Sequence, residues 1–177
     1  IAEIASMTNE AILMQKMLSE ASSPGERAYL LSSYLDESRG GFYRQASFAD
    51  FEARAHAKVE AGEALTAQVL NTIYAEVFAD YYGDAVHTDD LNQIEWSRIP
   101  HFLRSDNFYV YQYSTSFVAA TALAKTILEG GEPARERYLE MLKSGSNDYP
   151  IELLKKAGID MTSAEPIEAT IEVFDDL

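Results

Sequence analysis

Tyr109, Gln112 and Tyr113 stand in a run of aromatic residues with polar handles, Phe-Tyr-Val-Tyr-Gln-Tyr-Ser-Thr-Ser, a short way after His101. Gln112 and Tyr113 lie three and four residues beyond Tyr109, so on a helix a hydroxyl, an amide and a second hydroxyl project from one face while Tyr111 points elsewhere. Such a face can grip a peptide backbone. Phenolic O–H groups donate well to a carbonyl or a developing oxyanion in a partly desolvated cleft, where each such bond carries about two to three decades of rate. Buried tyrosines also serve simply as core residues whose hydroxyls find a backbone acceptor. Spacing alone leaves both readings open.

Other signatures of chemistry are absent. The sequence has no Gly-rich phosphate loop, no dinucleotide fingerprint, no G-x-S-x-G elbow, no calcium loop and no H-E-x-x-H. Its three histidines, His56, His87 and His101, are far apart, and no pair has the i, i+4 spacing by which one helix presents two imidazoles to zinc. With no cysteine there is neither a disulfide framework nor a thiolate metal site, which fits a reducing compartment and makes the cytoplasm the expected location.

The elements that must position these residues are helical throughout. Ile4, Met7, Ala11, Met14 and Leu18 mark one face of a helix ending near Ala21. Ser23 is placed to cap a second, with Pro24 at its first position. That helix runs to about Arg39, where Gly40-Gly41 predicts a break. A third helix to about Ala61 has an aromatic apolar face and carries Arg44, Glu52, Arg54 and Glu60. A fourth, capped by Thr66, reaches Tyr82, with Gly83 as a left-handed stop. Residues 84–107 look irregular, and residues 108–128 are apolar or aromatic nearly all round, as a buried helix is. Gly130-Gly131 predicts its end, Pro133 opens the next helix to about Lys143, and Pro150 opens one that stops at Gly158. Thr162-x-x-Glu165 is a candidate capping box for the last. The expected fold class is all-α, with about seven to nine helices and little or no sheet, and residues 1–177 form a single helical unit.

Bulk properties bound the partners. A chain of 177 residues, 47% apolar and 24% charged, can bury a core. Its net charge of −15 disfavours a nucleic-acid backbone or an anionic membrane, and the longest mainly apolar stretch, 117–128, is too short to span a bilayer. The first residues, Ile1-Ala2-Glu3-Ile4, have no Met start and no signal-like run, so the expectation is a piece of a longer protein.

Several segments together resemble one family. Ile-Pro-His-Phe (99–102) followed by the tyrosine run is similar to the substrate-side motif of the oligoendopeptidase F family, zinc metallopeptidases related to thimet oligopeptidase. Glu-Ala-Leu-Thr (63–66), Asp-Tyr-Tyr-Gly-Asp-Ala (80–85), Tyr-Pro-Ile-Glu-Leu-Leu-Lys-Lys-Ala-Gly (149–158) and Glu-Pro-Ile-Glu (165–168) resemble the C-terminal third of that family, in order. The resemblance implies a hydrolase that cleaves short peptides by zinc-activated water. Ala2-Glu3-Ile4-Ala5-Ser6 with Glu10 resembles the start of the helix that supplies the third zinc ligand, which makes Glu3 that ligand and Glu10 a carboxylate orienting a metal-bound histidine. It likewise implies that His101 reaches the scissile carbonyl or the substrate backbone and that Tyr109 and Tyr113 stabilise the oxyanion, with Gln112 and Tyr111 binding substrate. Ser116 falls where thimet-like relatives carry a further tyrosine, and residues 103–107 resemble a small insertion. The H-E-x-x-H helix would belong to an N-terminal remainder of the same protein, so this chain alone is expected to be inactive and to lack zinc. The competing expectation is a non-catalytic helical peptide-binding or interaction module. No role is assigned to His56 or His87.

Overall fold

The computed structural model describes residues 3–87, 89–104 and 108–175. Among them there are seven α-helices and no strand: α1 (Ile4–Glu20), α2 (Pro24–Ser38), α3 (Arg44–Glu60), α4 (Ala67–Tyr82), α5 (Tyr111–Ser144), α6 (Pro150–Ala157) and α7 (Glu165–Asp175). The all-α expectation holds. Backbone contacts divide the chain into two compact units, Ile1–Phe42 with Thr115–Leu177, and Tyr43–Ser114.

In the first unit, α1 buries Ile4 and Leu18, and Thr8 is fully buried beside them. A threonine is tolerated there because its hydroxyl donates to the Ile4 carbonyl one turn back, at 2.7 Å. The core joins Ile4 to Ala119, Ala122 and Leu123 of α5, Tyr138 further along the same helix, and Leu154 and Ala157 of α6. The alanines admit close helix approach, and the Tyr138 hydroxyl reaches the Ala5 carbonyl at 3.3 Å. Ser23 caps α2 as predicted, its Oγ accepting the Glu26 N–H, and Gly158 ends α6 in the left-handed conformation, φ 102°.

Two sequence expectations are corrected here. Gly40-Gly41 does not break the helix: a π-helical turn over Arg39–Tyr43 carries the backbone on into α3. Gly41 is needed for close approach, since a Cβ there would stand 3.0 Å from the Phe117 ring. Gly130-Gly131 ends the first helical stretch of α5 as predicted: Gly131 leaves the helix at φ 60°, ψ −142°, and a second stretch carrying Pro133 resumes at once to Ser144. The Thr162 capping box does not form, because Thr162 gives both its N–H and its hydroxyl to the Asp160 carboxylate, ahead of α7.

The second unit is a platform of α3 and α4. Phe48, Phe51, Ile73, Tyr74, Val77 and Phe78 are buried against one another, and Ile99 and Val110 complete the cluster. Thr66 caps α4 by accepting the Val69 N–H, as predicted. Gly83 stops α4 with a positive φ of 53°, but its ψ of −144° lies outside the left-handed helical region. Beyond it the segment expected to be irregular winds into 3-10 turns at Gly83–Ala85, Asn92–Arg98 and Pro100–Leu103. The buried-helix expectation for 108–128 holds in its middle, Ser116 to Ala124, while Tyr111 and Leu128 at the two ends are exposed. Residues 105–107, part of the expected insertion, lie outside the described residues, as do Ile1 and Ala2.

Candidate functional site

His101 owes its place to its neighbours. Ile99 is buried in the α3/α4 cluster, and Phe102 packs edge-on to Phe48 (5.8 Å between ring centres) and tilted on Phe51 (5.0 Å). With both flanks drawn inward, the 3-10 turn leaves His101 half-buried at its outer side.

The same segment is tied down by polar contacts the sequence did not announce. Glu95 Oε2 accepts the Tyr74 hydroxyl at 2.7 Å, and Oε1 accepts Arg98 Nη2 at 2.7 Å and a bond from Arg44 Nη2. Burial alone would raise the Glu95 carboxyl, but the bonds from Tyr74, Arg44 and Arg98 outweigh it and hold the group below the usual glutamate range. On the other partner, burial and then the Glu95 carboxylate push the Tyr74 hydroxyl well above the ordinary tyrosine value. Trp96 Nε1 donates to Asn71 Oδ1 at 2.9 Å, a second tie between this segment and α4.

Onto this support the predicted aromatic residues converge. The His101 and Tyr109 rings stack at 5.1 Å with 9° between their planes. Tyr113 stands edge-on to both, 6.0 Å from His101 and 5.7 Å from Tyr109. Tyr109 precedes α5 rather than lying in it, but its carbonyl accepts the Gln112 N–H at 3.2 Å, so the turn that begins there keeps the expected grouping. Gln112 is half-buried and Tyr111 is 49% exposed. Three aromatic heads, two phenols and an imidazole, thus form one half-buried face able to donate several hydrogen bonds to one ligand oxygen or to successive carbonyls. Ser116 is no part of it: 1% exposed, it belongs to the buried stretch of α5, and its hydroxyl has no partner among the described residues.

Glu3 and Glu10 belong to the first unit. Glu3 is half-buried just ahead of α1, where Ser6 Oγ donates to its backbone carbonyl at 3.0 Å and lies 3.4 Å from its carboxylate Oε2. Glu10 is exposed on α1, and its charge, after burial, is the second cause that pushes the Glu37 carboxyl of α2 upward. Among the described residues no group of three His, Cys, Asp or Glu side chains could hold a metal ion. His87 sits exposed in irregular backbone beyond the Gly83–Ala85 turn, and His56 packs its ring on Phe108 at 4.4 Å.

Sequence reasoning missed Glu95 and Asn71 as supporting residues, and also the Glu52 carboxylate, which accepts the Phe108 N–H at 2.8 Å. Only Glu52 carried a signal, since it falls on the helical face set by Phe48, Phe51 and Ala55, where a carboxylate must have a partner. No described helix is long and apolar enough to cross a membrane.

The sequence and the fold both match known proteins. The profile of Peptidase family M3 matches residues 1–173. The chain is 47% identical over 176 residues to Oligopeptidase PepF of Bacillus subtilis, covering 99% of this chain and 26% of that protein. It is 47% identical over 175 residues to the plasmid-encoded oligoendopeptidase F of Lactococcus lactis subsp. cremoris, covering 29% of that protein. The crystal structure of oligoendopeptidase-F from Enterococcus faecium superposes with a TM-score of 0.91 at 49% identity, over 99% of this chain and 33% of that one. The chain therefore spans between a quarter and a third of the relatives it matches. By profile, sequence and fold alike, it belongs to peptidase family M3, in its oligoendopeptidase F branch.

Proposed function

We propose that this chain is the C-terminal portion of a zinc-dependent oligoendopeptidase that hydrolyses short peptides in the cytoplasm, and that it supplies one metal ligand and one wall of the substrate site. The observation that carries the reading is the stacked pair His101 and Tyr109 with Tyr113 edge-on to both, on a chain of this family. Glu3 fits as a single zinc ligand: its carboxylate is a suitable oxygen donor, half-buried, and among the described residues it has only a long contact from Ser6. The other ligands and the general base come from the N-terminal remainder of the protein. Zinc, when bound, supplies Lewis-acid activation of water and of the scissile carbonyl.

The residues of this chain act on the substrate. His101 donates to the scissile carbonyl or the adjacent peptide backbone, and its stacking on Tyr109 fixes the plane from which it does so. Tyr109 and Tyr113 donate their phenolic protons as hydrogen bonds to the oxygen that gains charge, an interaction strongest in the transition state. Gln112 and Tyr111 contact the peptide on either side. Glu10 orients a metal-bound histidine of the remainder.

The test uses the full-length enzyme, a quenched peptide and metal analysis. Tyr109→Phe and Tyr113→Phe are each expected to lower kcat by about two to three decades. Glu3→Ala is expected to lose bound zinc and activity together, and the 177-residue chain alone to show neither. A Glu3→Ala enzyme with full zinc content and rate would overturn the ligand assignment. Activity in the isolated chain would overturn the division of the site, and a full-length protein that binds peptides without cleaving them would mark a helical binding module instead.

A further inference from the structure

Glu52 lies on the apolar face of α3, among Phe48, Phe51 and Ala55, and is only 5% exposed. A carboxylate in such a place requires a donor, and the Phe108 backbone N–H provides one, 2.8 Å from Glu52 Oε1. Phe108 is itself unusual. Its φ of 58° makes it the only non-glycine with positive φ among the described residues, a conformation that a bulky side chain adopts only when its surroundings impose it. Core burial does not impose it, since Phe108 is 46% exposed. What holds it are two contacts from one face of α3: the Glu52 carboxylate on its N–H, and the His56 ring, one helical turn on, at 4.4 Å from its own ring. The next residue is Tyr109, whose ring must lie parallel to His101 within 5.1 Å.

We propose that Glu52 is a positioning residue for Tyr109, its buried carboxylate clamping Phe108 in the left-handed conformation that aims the following tyrosine at the His101 face. The proposal rests on Tyr109 being an oxyanion donor. Glu52 touches neither substrate nor metal, and it acts through the backbone of one strained residue. Its role requires an acceptor rather than a charge, so a glutamine there serves and an aliphatic residue does not. Because the clamp fixes direction more than affinity, its loss falls on kcat and leaves KM nearly untouched.

The experiment is a double-mutant cycle in the full-length enzyme, with kcat and KM measured for Glu52→Leu, Glu52→Gln, Tyr109→Phe and the Glu52→Leu/Tyr109→Phe pair, and folding followed by circular dichroism. Glu52→Leu is expected to lower kcat by about ten- to a hundredfold with KM within about threefold, and Glu52→Gln to retain most of the rate. In the Tyr109→Phe background, Glu52→Leu is expected to cost almost nothing further, because the hydroxyl it aims has already gone. If Glu52→Leu does not fold, Phe108→Pro replaces it: the substitution sits at an exposed ring, removes the same N–H and forbids the positive φ, and is expected to give the same kcat loss and the same non-additivity. An equal loss in both backgrounds, or a Gln variant as slow as the Leu variant, would overturn the proposal while leaving Tyr109 catalytic. A Tyr109→Phe enzyme at full rate would instead overturn the catalytic reading, and the proposal with it.

Discussion

The Tyr74 hydroxyl donates to Glu95 Oε2 at 2.7 Å, so the middle of α4 holds the 3-10 turn just ahead of the one that carries His101. Tyr74 is 2% exposed and its ring packs edge-on against Phe51 at 5.3 Å, so the phenol oxygen is the one polar atom of an otherwise apolar side chain. Tyr74→Phe preserves that packing and removes only the bond to a carboxylate. It is expected to destabilise the second unit by about 1.5–3 kcal/mol, measured by urea unfolding.

Glu95 sets a pH dependence. Its carboxyl titrates below the usual glutamate range in the folded protein, so its contribution is fully present above the unfolded value and is lost as pH falls through the folded one. Stability is therefore expected to decline as the solution is acidified from about pH 5, and Glu95→Gln to be less stable at neutral pH but flatter over the acid range. Urea midpoints for both proteins across the series check this, and parallel curves would exclude Glu95 as the source.

Adjacent glycines in the π-helical turn should respond with opposite sign. A Cβ at Gly40 meets nothing within 4 Å, so Gly40→Ala is expected to stabilise by up to about 1 kcal/mol through helix propensity. A Cβ at Gly41 would lie 3.0 Å from Cδ2 of Phe117, a ring only 5% exposed and unable to yield. There overpacking of about 1–3 kcal/mol outweighs the same propensity gain, and Gly41→Ala is expected to lower the melting temperature.

Ser116 offers a gain. Its buried hydroxyl has no partner among the described residues, and an unmet buried polar group costs about 1–3 kcal/mol. Ser116→Ala removes the hydroxyl without opening appreciable space and is expected to raise the melting temperature, whereas a fall would reveal a hydrogen bond to that oxygen.

What the sequence disclosed followed the range of the interaction involved. Caps are local, so Ser23, Thr66 and the Pro150-to-Gly158 helix could be placed from a few neighbouring letters. The tyrosine face was legible because Tyr109, Gln112 and Tyr113 need only one turn to come together, and His101 came with them through the resemblance. Gly41 was misjudged because its partner, Phe117, is 76 positions away, and a glycine kept for close approach looks identical to one kept for a break. Thr162 was misjudged because Asp160 competes for it from the other side. Glu95 was hidden among 29 acidic residues, with two of its three partners, Tyr74 and Arg44, distant in sequence. Nothing in the letters around Phe108 announced its positive φ, since phenylalanine does not choose that conformation unaided.

Trp96, stacked at 6.2 Å from Phe51 and bonded to Asn71, is the single tryptophan of the chain, and it lies in the second unit. Its fluorescence is therefore an optical label that nature has attached to one unit alone, while far-ultraviolet dichroism sums the helices of both. Traces that coincide during denaturation would mean one cooperative transition, and an emission change that runs ahead of the dichroism would time the collapse of the His101 support separately from the rest.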